Sequence, residues 1–511
     1  MKKQATENTA CFDYHHLTSY QRSKMPRHFL DWENQPSVFK TYPGAERIQL
    51  PRDVRHREDS LSMILKSQAP MEKRRDPDMA DLSRIFSLAY GITRKGTHRG
   101  GYHYYRSVAS AGALYPTEIY VSTNGAQGLD DGLYHFSIAH HALTPLRKGD
   151  VSSHVADAVR PTLHKSPKLT FFLSAIFFRS AWKYMERSYR YHLLDTGHLL
   201  ENLVVALKAQ KFPFEFSFDF DDHTLNRLLG LDETKEVCLA VCYMPGEHPV
   251  KRMSTEEEIA NLSESVKNTS IVSQKETDYP AVLEIHEQGL HETARSGVEL
   301  PTINPVDLKS EKPIDVTGPE IWPEKLNYEG AFLHRRSKRN YVPKSISLNH
   351  LASLVQALSL KDRGAHSDAL YYQNTVRSGL IVGNAQGIDP GFYLLDEAKG
   401  SLGLVNSGHF LDMMTHICLD QKWLANAAVH FVFLTDIEVL DRYYGARGYR
   451  YAMMVSGRMG ERLYLSATAM GLGCCGIGAF YDFEASQLLG LTRTSRLLYL
   501  VAVGPVKSQI S

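Results

Sequence analysis

Six cysteines in 511 residues (Cys11, Cys238, Cys242, Cys418, Cys474 and Cys475) are too few and too scattered to form a disulfide framework. Reduced, mostly buried thiols in a cytoplasmic protein are the expectation from that usage. Net charge is also missing, with 58 Lys+Arg against 57 Asp+Glu. Such a balance gives no general attraction to nucleic acid or to an anionic membrane. The longest apolar stretch, Leu169 to Phe178, is broken by Ser174 and falls far short of the ~20 residues of a membrane span. The opening MKKQATENTACFDYHH has lysines but no apolar core, so it does not read as a secretory signal. Metal-ligand spacing is lacking: there is no H-E-x-x-H and no paired C-x-x-C, and His15-His16, His103 and His140-His141 have no second cluster. A Walker loop and a G-x-S-x-G elbow are absent as well.

What the chain has is length enough for at least two domains, and a repeat. SYRYHLLDTGHLLENL at Ser188 returns as GYRYAMMVSGRMGERL at Gly448, an offset of 260. Without a gap, Leu228-Leu229-Gly230-Leu231 then falls on Leu488-Leu489-Gly490-Leu491. Upstream, ALY at Ala113 pairs with ALY at Ala369, and GLYHF at Gly132 with GFYLL at Gly391. The organisation expected is a first domain over 1–246, a polar connection over 247–328 and a second domain over 329–511.

Each copy has the same order of elements. Helices are expected at Asp81–Tyr90 and Leu348–Leu358, followed by short strands such as Glu118–Thr123 and Leu133–Ser137. A β-rich run (Leu169–Phe178; Val429–Leu434), a long helix (Tyr189–Ala209; Tyr449–Met470) and a last strand (Val237–Tyr243; Leu497–Val503) complete the unit. Strand runs and long helices in separate blocks indicate an α+β fold, helices around a mainly antiparallel sheet. A parallel doubly wound sheet would need tighter alternation.

Four motifs carry chemistry. RRSKRNY at Arg335–Tyr341 sets three cations and a hydroxyl close together, which suits a phosphate or a solvated basic turn. GLGCCGIGAF, Gly471 to Phe480, lets the backbone approach a flat ligand, or else caps a helix and turns. Its G-x-G-x-x-G spacing ends a helix instead of joining a strand to a helix start, which excludes a dinucleotide fingerprint. SVASAGALYP, Ser107 to Pro116, is either a tight entry to a strand or a flat-ligand contact. In WKYMERSYR, Lys183 beside Tyr184 is a surface pair, or in a cleft a proton acceptor with electrostatic support.

Taken together, RRSKRNY, SAGALYP with TEIYV and GLYHF, WKYMERSYRY, and YRYAMMVSG with GLGCCGIGAF resemble the flavin-dependent nitroreductase superfamily, in its SagB/ThcOx dehydrogenase branch. The resemblance implies two nitroreductase-like domains as an internal pseudo-dimer and FMN as cofactor. It also implies oxidation of a peptide or small heterocycle by hydride transfer. NAD(P)H-dependent reduction of nitro compounds or quinones is the alternative, and a degenerate, non-catalytic flavin-binding protein a third reading. No metal, nucleic-acid or membrane partner is implied, and the pseudo-dimer can be monomeric.

By the same resemblance, Arg335, Arg336 and Ser337 would hold the FMN phosphate, with Lys507 as helper, and Arg339 would sit near N1/O2. Gly476, Ile477 and Gly478 would face the N5/O4 edge, with Gln421 in a further matching block. Ser110, Ala111 and Gly112 would cover the opposite ring edge, Tyr184 would be the base and Lys183 its modulator. The second copy keeps the Arg/Ser and glycine motifs, but its Ser-Ala-Gly has become HSDALYY at His366–Tyr372. The first keeps Ser-Ala-Gly and Lys-Tyr but has RRDPD at Arg74 and FEFSFDF at Phe214. The complementary decay implies one FMN site built from both halves.

Overall fold

The computed structural model describes all residues except 1–9, 26–27, 56, 68–74, 99–100, 251–258, 291–302, 307–312, 362–367 and 508–511. Arg74, His366 and Ser367 therefore lie outside the described residues. Two seven-stranded sheets account for the α+β class. The first uses Ile48–Gln49, Thr117–Thr123, Gly132–Ser137, Ala142–Lys148, Leu169–Ile176, Glu215–Ser217 and Glu236–Met244. The second uses Ile314–Asp315, Arg377–Val382, Gly391–Asp396, Ser401–Ser407, Val429–Asp436, Gly473–Ile477 and Ser495–Gly504. Numbered along each half, both run in the order 1-4-3-2-5-7-6, with antiparallel pairing throughout.

Local chemistry sets the elements. Helix Met79–Tyr90 begins at a capping box in which the Asp78 and Asp81 carboxylates accept each other's backbone N–H. Leu348–Ser359 starts at Ser347, whose hydroxyl accepts from the His350 N–H. The run Leu169–Phe178 is strand only to Ile176, where the ladder to Glu236 ends, and Phe177–Tyr184 is helical. The glycine-rich Gly473–Ile477, expected as a ligand-facing glycine segment or a cap and turn, is an edge strand paired with the end of Ser495–Gly504. Ladder hydrogen bonds there outweigh the low strand preference of glycine.

The stretch read as a connection adds structure to both halves. Ile314–Asp315 pairs with Ser401 and Leu402 at the edge of the second sheet. Helix Pro280–Gln288 buries His286 against the Tyr189 hydroxyl. Helix Ala10–Leu17 packs on the second half, where the Cys11 N–H donates to Asp441 and His15 meets the Tyr449 hydroxyl. No helix among the described residues is long and apolar enough to cross a membrane.

The two long helices, Ser188–Ala209 and Arg447–Ala469, cross at the centre of the molecule. A Cβ on Gly197 would lie 2.1 Å from the Met454 carbonyl oxygen, and one on Gly457 would lie 2.2 Å from that of Leu194. Only glycine allows so close an approach, and these two are the repeat-equivalent pair. Around the crossing the polar contacts are doubled. Arg187 and Arg190 bind Asp482, while Arg447 and Arg450 bind Asp222, each residue 260 positions from its counterpart.

Candidate functional site

On one side of this crossing, a loop of the first half faces a loop and the end of the glycine-rich edge strand of the second. Ser110, Ala111 and Gly112 come from the first half; Ser337, Arg339, Gly476 and Gly478 come from the second. They line one narrow cleft with about 480 Å³ of atom-free space counted out to its mouth. Tyr191, Tyr464 and Tyr499 supply its remaining aromatic walls. A Cβ at Gly476 would fall on the Tyr499 hydroxyl, and one at Gly478 would lie 2.6 Å from the Tyr191 ring. The glycines thus admit tyrosines as well as keeping the cleft open. The Gly476 N–H donates to the Tyr464 hydroxyl (2.7 Å), which also meets Ser337 Oγ (2.9 Å).

Lys183 and Tyr184 stand at the same place. A Cβ on Gly112 would lie 2.8 Å from the Tyr184 hydroxyl and 3.3 Å from Lys183 Nζ. Burial pushes the Tyr184 phenol well up, whereas burial and then Arg339 lower Lys183 from the usual lysine value. Seven of the residues expected from sequence lie outside this lining: Lys183 and Tyr184, which border it behind Gly112, and Arg335, Arg336, Gln421, Ile477 and Lys507. Arg335 is buried, and its guanidinium donates to the carbonyls of Arg106, Ser107 and Val108 in the first half. Arg336 lies over the Tyr105 ring, 5.5 Å from its centroid. Gln421 donates to the Cys418 carbonyl, and the Lys507 backbone pairs with Asn340. Burial pushes the Cys474 and Cys475 thiols up, which keeps them protonated.

Sequence reasoning missed the floor of the cleft. Asp195 accepts from Ser110 Oγ (2.6 Å) and from the Ala111 N–H (3.1 Å), fixing the small-residue loop. His198 bridges the Glu461 carboxylate and the Tyr499 hydroxyl. The repeat held a signal: Asp195 aligns with Val455 and His198 with Arg458, positions where the copies diverged. Burial raises the Asp195 carboxyl to about 7. With its folded value above the unfolded one, its contribution to stability is present below about pH 4 and is lost as pH rises through about 7. Asp195→Asn is therefore expected to flatten the pH dependence of Tm over that window. A thermal-melt series with an unaltered slope would refute the assignment.

The pseudo-symmetric position on the other side is filled. Phe216 and Phe218 replace Gly476 and Gly478. Phe218 packs at a tilt against Tyr372 (4.6 Å between centroids), and the Arg458 guanidinium lies 4.3 Å over Phe216. The Tyr372 hydroxyl donates to Asp219 (2.8 Å).

Comparison with known proteins bears on this geometry. Residues 72–246 and 333–505 each match the nitroreductase family. The chain belongs to the nitroreductase family. A nitroreductase-family protein from Anabaena variabilis of known crystal structure superposes with a TM-score of 0.77 at 25% identity, covering 98% of this chain and 100% of that one. Protein MJ1384 of Methanocaldococcus jannaschii, also named for nitroreductases, is 26% identical over 195 residues, 36% of this chain and 94% of its own. The trifolitoxin-processing protein TfxB of Rhizobium leguminosarum bv. trifolii is 32% identical over 138 residues, 26% of this chain and 37% of its own.

This chain is thus a nitroreductase-family oxidoreductase with two family domains. The family is typically flavin-dependent, and the cleft residues fit a flat conjugated ring. They offer a narrow slot with aromatic walls, loops of small residues from both halves, and the Arg339 cation at its edge. The phosphate end fits through fewer groups, because Arg335 spends its donors on carbonyls.

Proposed function

We propose that the chain is an FMN-dependent dehydrogenase of the SagB type, oxidising a peptide or small heterocycle, with one flavin site made by both halves. The observation that carries this reading is the meeting of Ser110–Gly112 with Ser337, Arg339, Gly476 and Gly478 in one cleft, opposite a counterpart packed with Phe216, Phe218 and Tyr372. Bound flavin would supply the hydride-accepting chemistry. Ser110, Ala111 and Gly112 would cover the ring, and Arg339 would favour the negative charge that reduction brings. Lys183, lowered by burial and Arg339, is the better proton acceptor; Tyr184 keeps its proton and serves as a hydrogen-bond donor. These roles reverse the sequence expectation for the pair.

The likeness to a protein named for processing trifolitoxin favours a dehydrogenase. Likeness to MJ1384 favours the second reading, NAD(P)H-driven reduction of nitro compounds or quinones. Flavin released by denaturing the purified chain should amount to one FMN per chain. Two per chain, or none after loading with excess FMN, would overturn the single shared site. Bleaching of the flavin band by NADPH alone would move the assignment to the second reading.

A further inference from the structure

Among the described residues, only the first half carries a separate two-stranded hairpin, Ile92–His98 paired with Gly101–Arg106. At the corresponding place in the second half, between Leu348–Ser359 and Arg377–Val382, stands the helix Asp368–Gln373. The repeated fold therefore does not require the hairpin. Its second strand leads directly into the Ser110–Gly112 loop, and Arg335 of the other half grips the carbonyls of Arg106, Ser107 and Val108 at the junction. Tyr102, His103, Tyr104 and Tyr105 face a cavity that reaches Gly112 and Lys183, which leaves Ile92–His98 as the outer edge. No other strand among the described residues pairs with that edge.

The edge carries charge of one sign. Between Asp81 and Glu118 the sequence has no carboxylate, while Arg94 and Lys95 lie exposed on the edge strand. Lys95 stands 3.5 Å over the ring of Tyr102, which is 64% exposed. Arg336 lies over Tyr105, the residue paired with Arg94 across the hairpin. Burial, then Arg335 and Arg94, lower the Arg336 guanidinium from its usual value, so these cations crowd one another. Arg94, Lys95 and Arg336 make no ion pair among the described residues. Cations on an edge strand deter pairing with the same edge of a second copy. They leave it open to a strand of opposite charge. We propose that this hairpin takes up an extended, acidic peptide segment as a third strand along 92–97, holding a peptide substrate by a part remote from the cleft. The docking stands apart from the redox assignment; only its link to the substrate rests on that reading. Free backbone N–H and C=O groups of the edge supply the ladder, and the cations select the partner's charge. Three cations supply too few phosphate contacts for stable nucleic-acid binding at physiological salt.

Fluorescence anisotropy of the full chain with a labelled peptide of alternating Glu and Val, and with its Lys-for-Glu counterpart, tests this. The acidic peptide should bind at least about tenfold more tightly, and added salt should weaken it. A peptide of alternating Glu and Pro keeps the charge but cannot form the ladder, so it should bind about tenfold more weakly. Arg94→Glu combined with Lys95→Glu should cost about tenfold in affinity for the Glu-Val peptide, with Tm and flavin content unchanged. Equal affinity for the Glu-Val and Glu-Pro peptides, or for the Glu and Lys peptides, would overturn the proposal. Binding unmoved in the double variant would do the same, as would an oligothymidylate that binds more tightly than the peptide. One FMN per chain without peptide docking would strike the hairpin alone. Docking in a chain that takes up no flavin would strike the redox assignment alone.

Discussion

Asp482→Ala is expected to destabilise the fold by about 3–5 kcal/mol, because it strands two buried arginines. Asp482 is 3% exposed, and its two oxygens take Arg187 (2.8 Å), Arg190 (2.7 Å) and the Tyr20 N–H (2.8 Å). His15 lies 3.5 Å away, but burial and then Arg190 lower it to about 3, so it adds no cation at neutral pH. The arginine pair overcomes the burial cost and holds the Asp482 carboxyl well below the usual range. A folded value below the unfolded one means that this stability is present above about pH 4 and disappears as pH falls through the folded value. Urea midpoints at pH 7 should show the full loss, and the gap to the parent chain should close in acid. A loss under about 1 kcal/mol at pH 7 would class the cluster with exposed ion pairs and sink the argument.

Asp222→Ala supplies the control. Asp222 holds Arg447 and Arg450 in the mirrored cluster, so a similar stability loss is expected. The consequences for the cleft differ. Arg187 also donates to the Gly478 carbonyl (2.9 Å), while Arg447 donates to that of Phe218 on the filled side. Flavin binding should therefore suffer in Asp482→Ala more than in Asp222→Ala.

These clusters mark where reading the chain alone stops. Hydrophobic periodicity and the repeated motifs, 260 residues apart from Ser188 onward, were enough for two copies, their sheets and their long helices. Burial of Ser188–Ala209 on every side was not legible, because YRYHLLDTGHLLEN carries charges that look solvated. Their partners stand in the other copy: Arg190 on Asp482, His198 on Glu461, Glu201 on Arg458 and Arg462. Arg335 shows the same gap. Its motif suits a phosphate, but the fold brings three carbonyls of 106–108 to it, and no local pattern announces them. The three backbone segments of the cleft were visible as motifs. The tyrosines that wall it, and the Asp195 that ties down one loop, lie within helices and a strand where core residues look alike.

Replacing Lys183 with alanine should lower turnover by about 10²–10⁴-fold, the range for loss of a positioned acid or base. In the proposed dehydrogenase reaction two groups stand where they could take the released proton, and their surroundings separate them. Tyr184 packs partly buried against Tyr191, with ring centroids 4.3 Å apart, and loss of its proton is opposed by desolvation and by nearby Tyr191 and Asp195. A phenolate there at neutral pH would need the charge that its surroundings reject. Lys183 is half-buried with Arg339 nearby, and both effects favour the neutral amine. Turnover should then rise with pH to a plateau whose midpoint lies below the usual lysine value of ~10.4. Lys183→Ala should remove that limb, while Tyr184→Phe should lower the rate and leave the midpoint in place. The assignment fails if Tyr184→Phe abolishes the limb and Lys183→Ala preserves it, since the phenol would then be the base. Flavin content of both variants, measured on the same samples, separates lost chemistry from a lost cofactor.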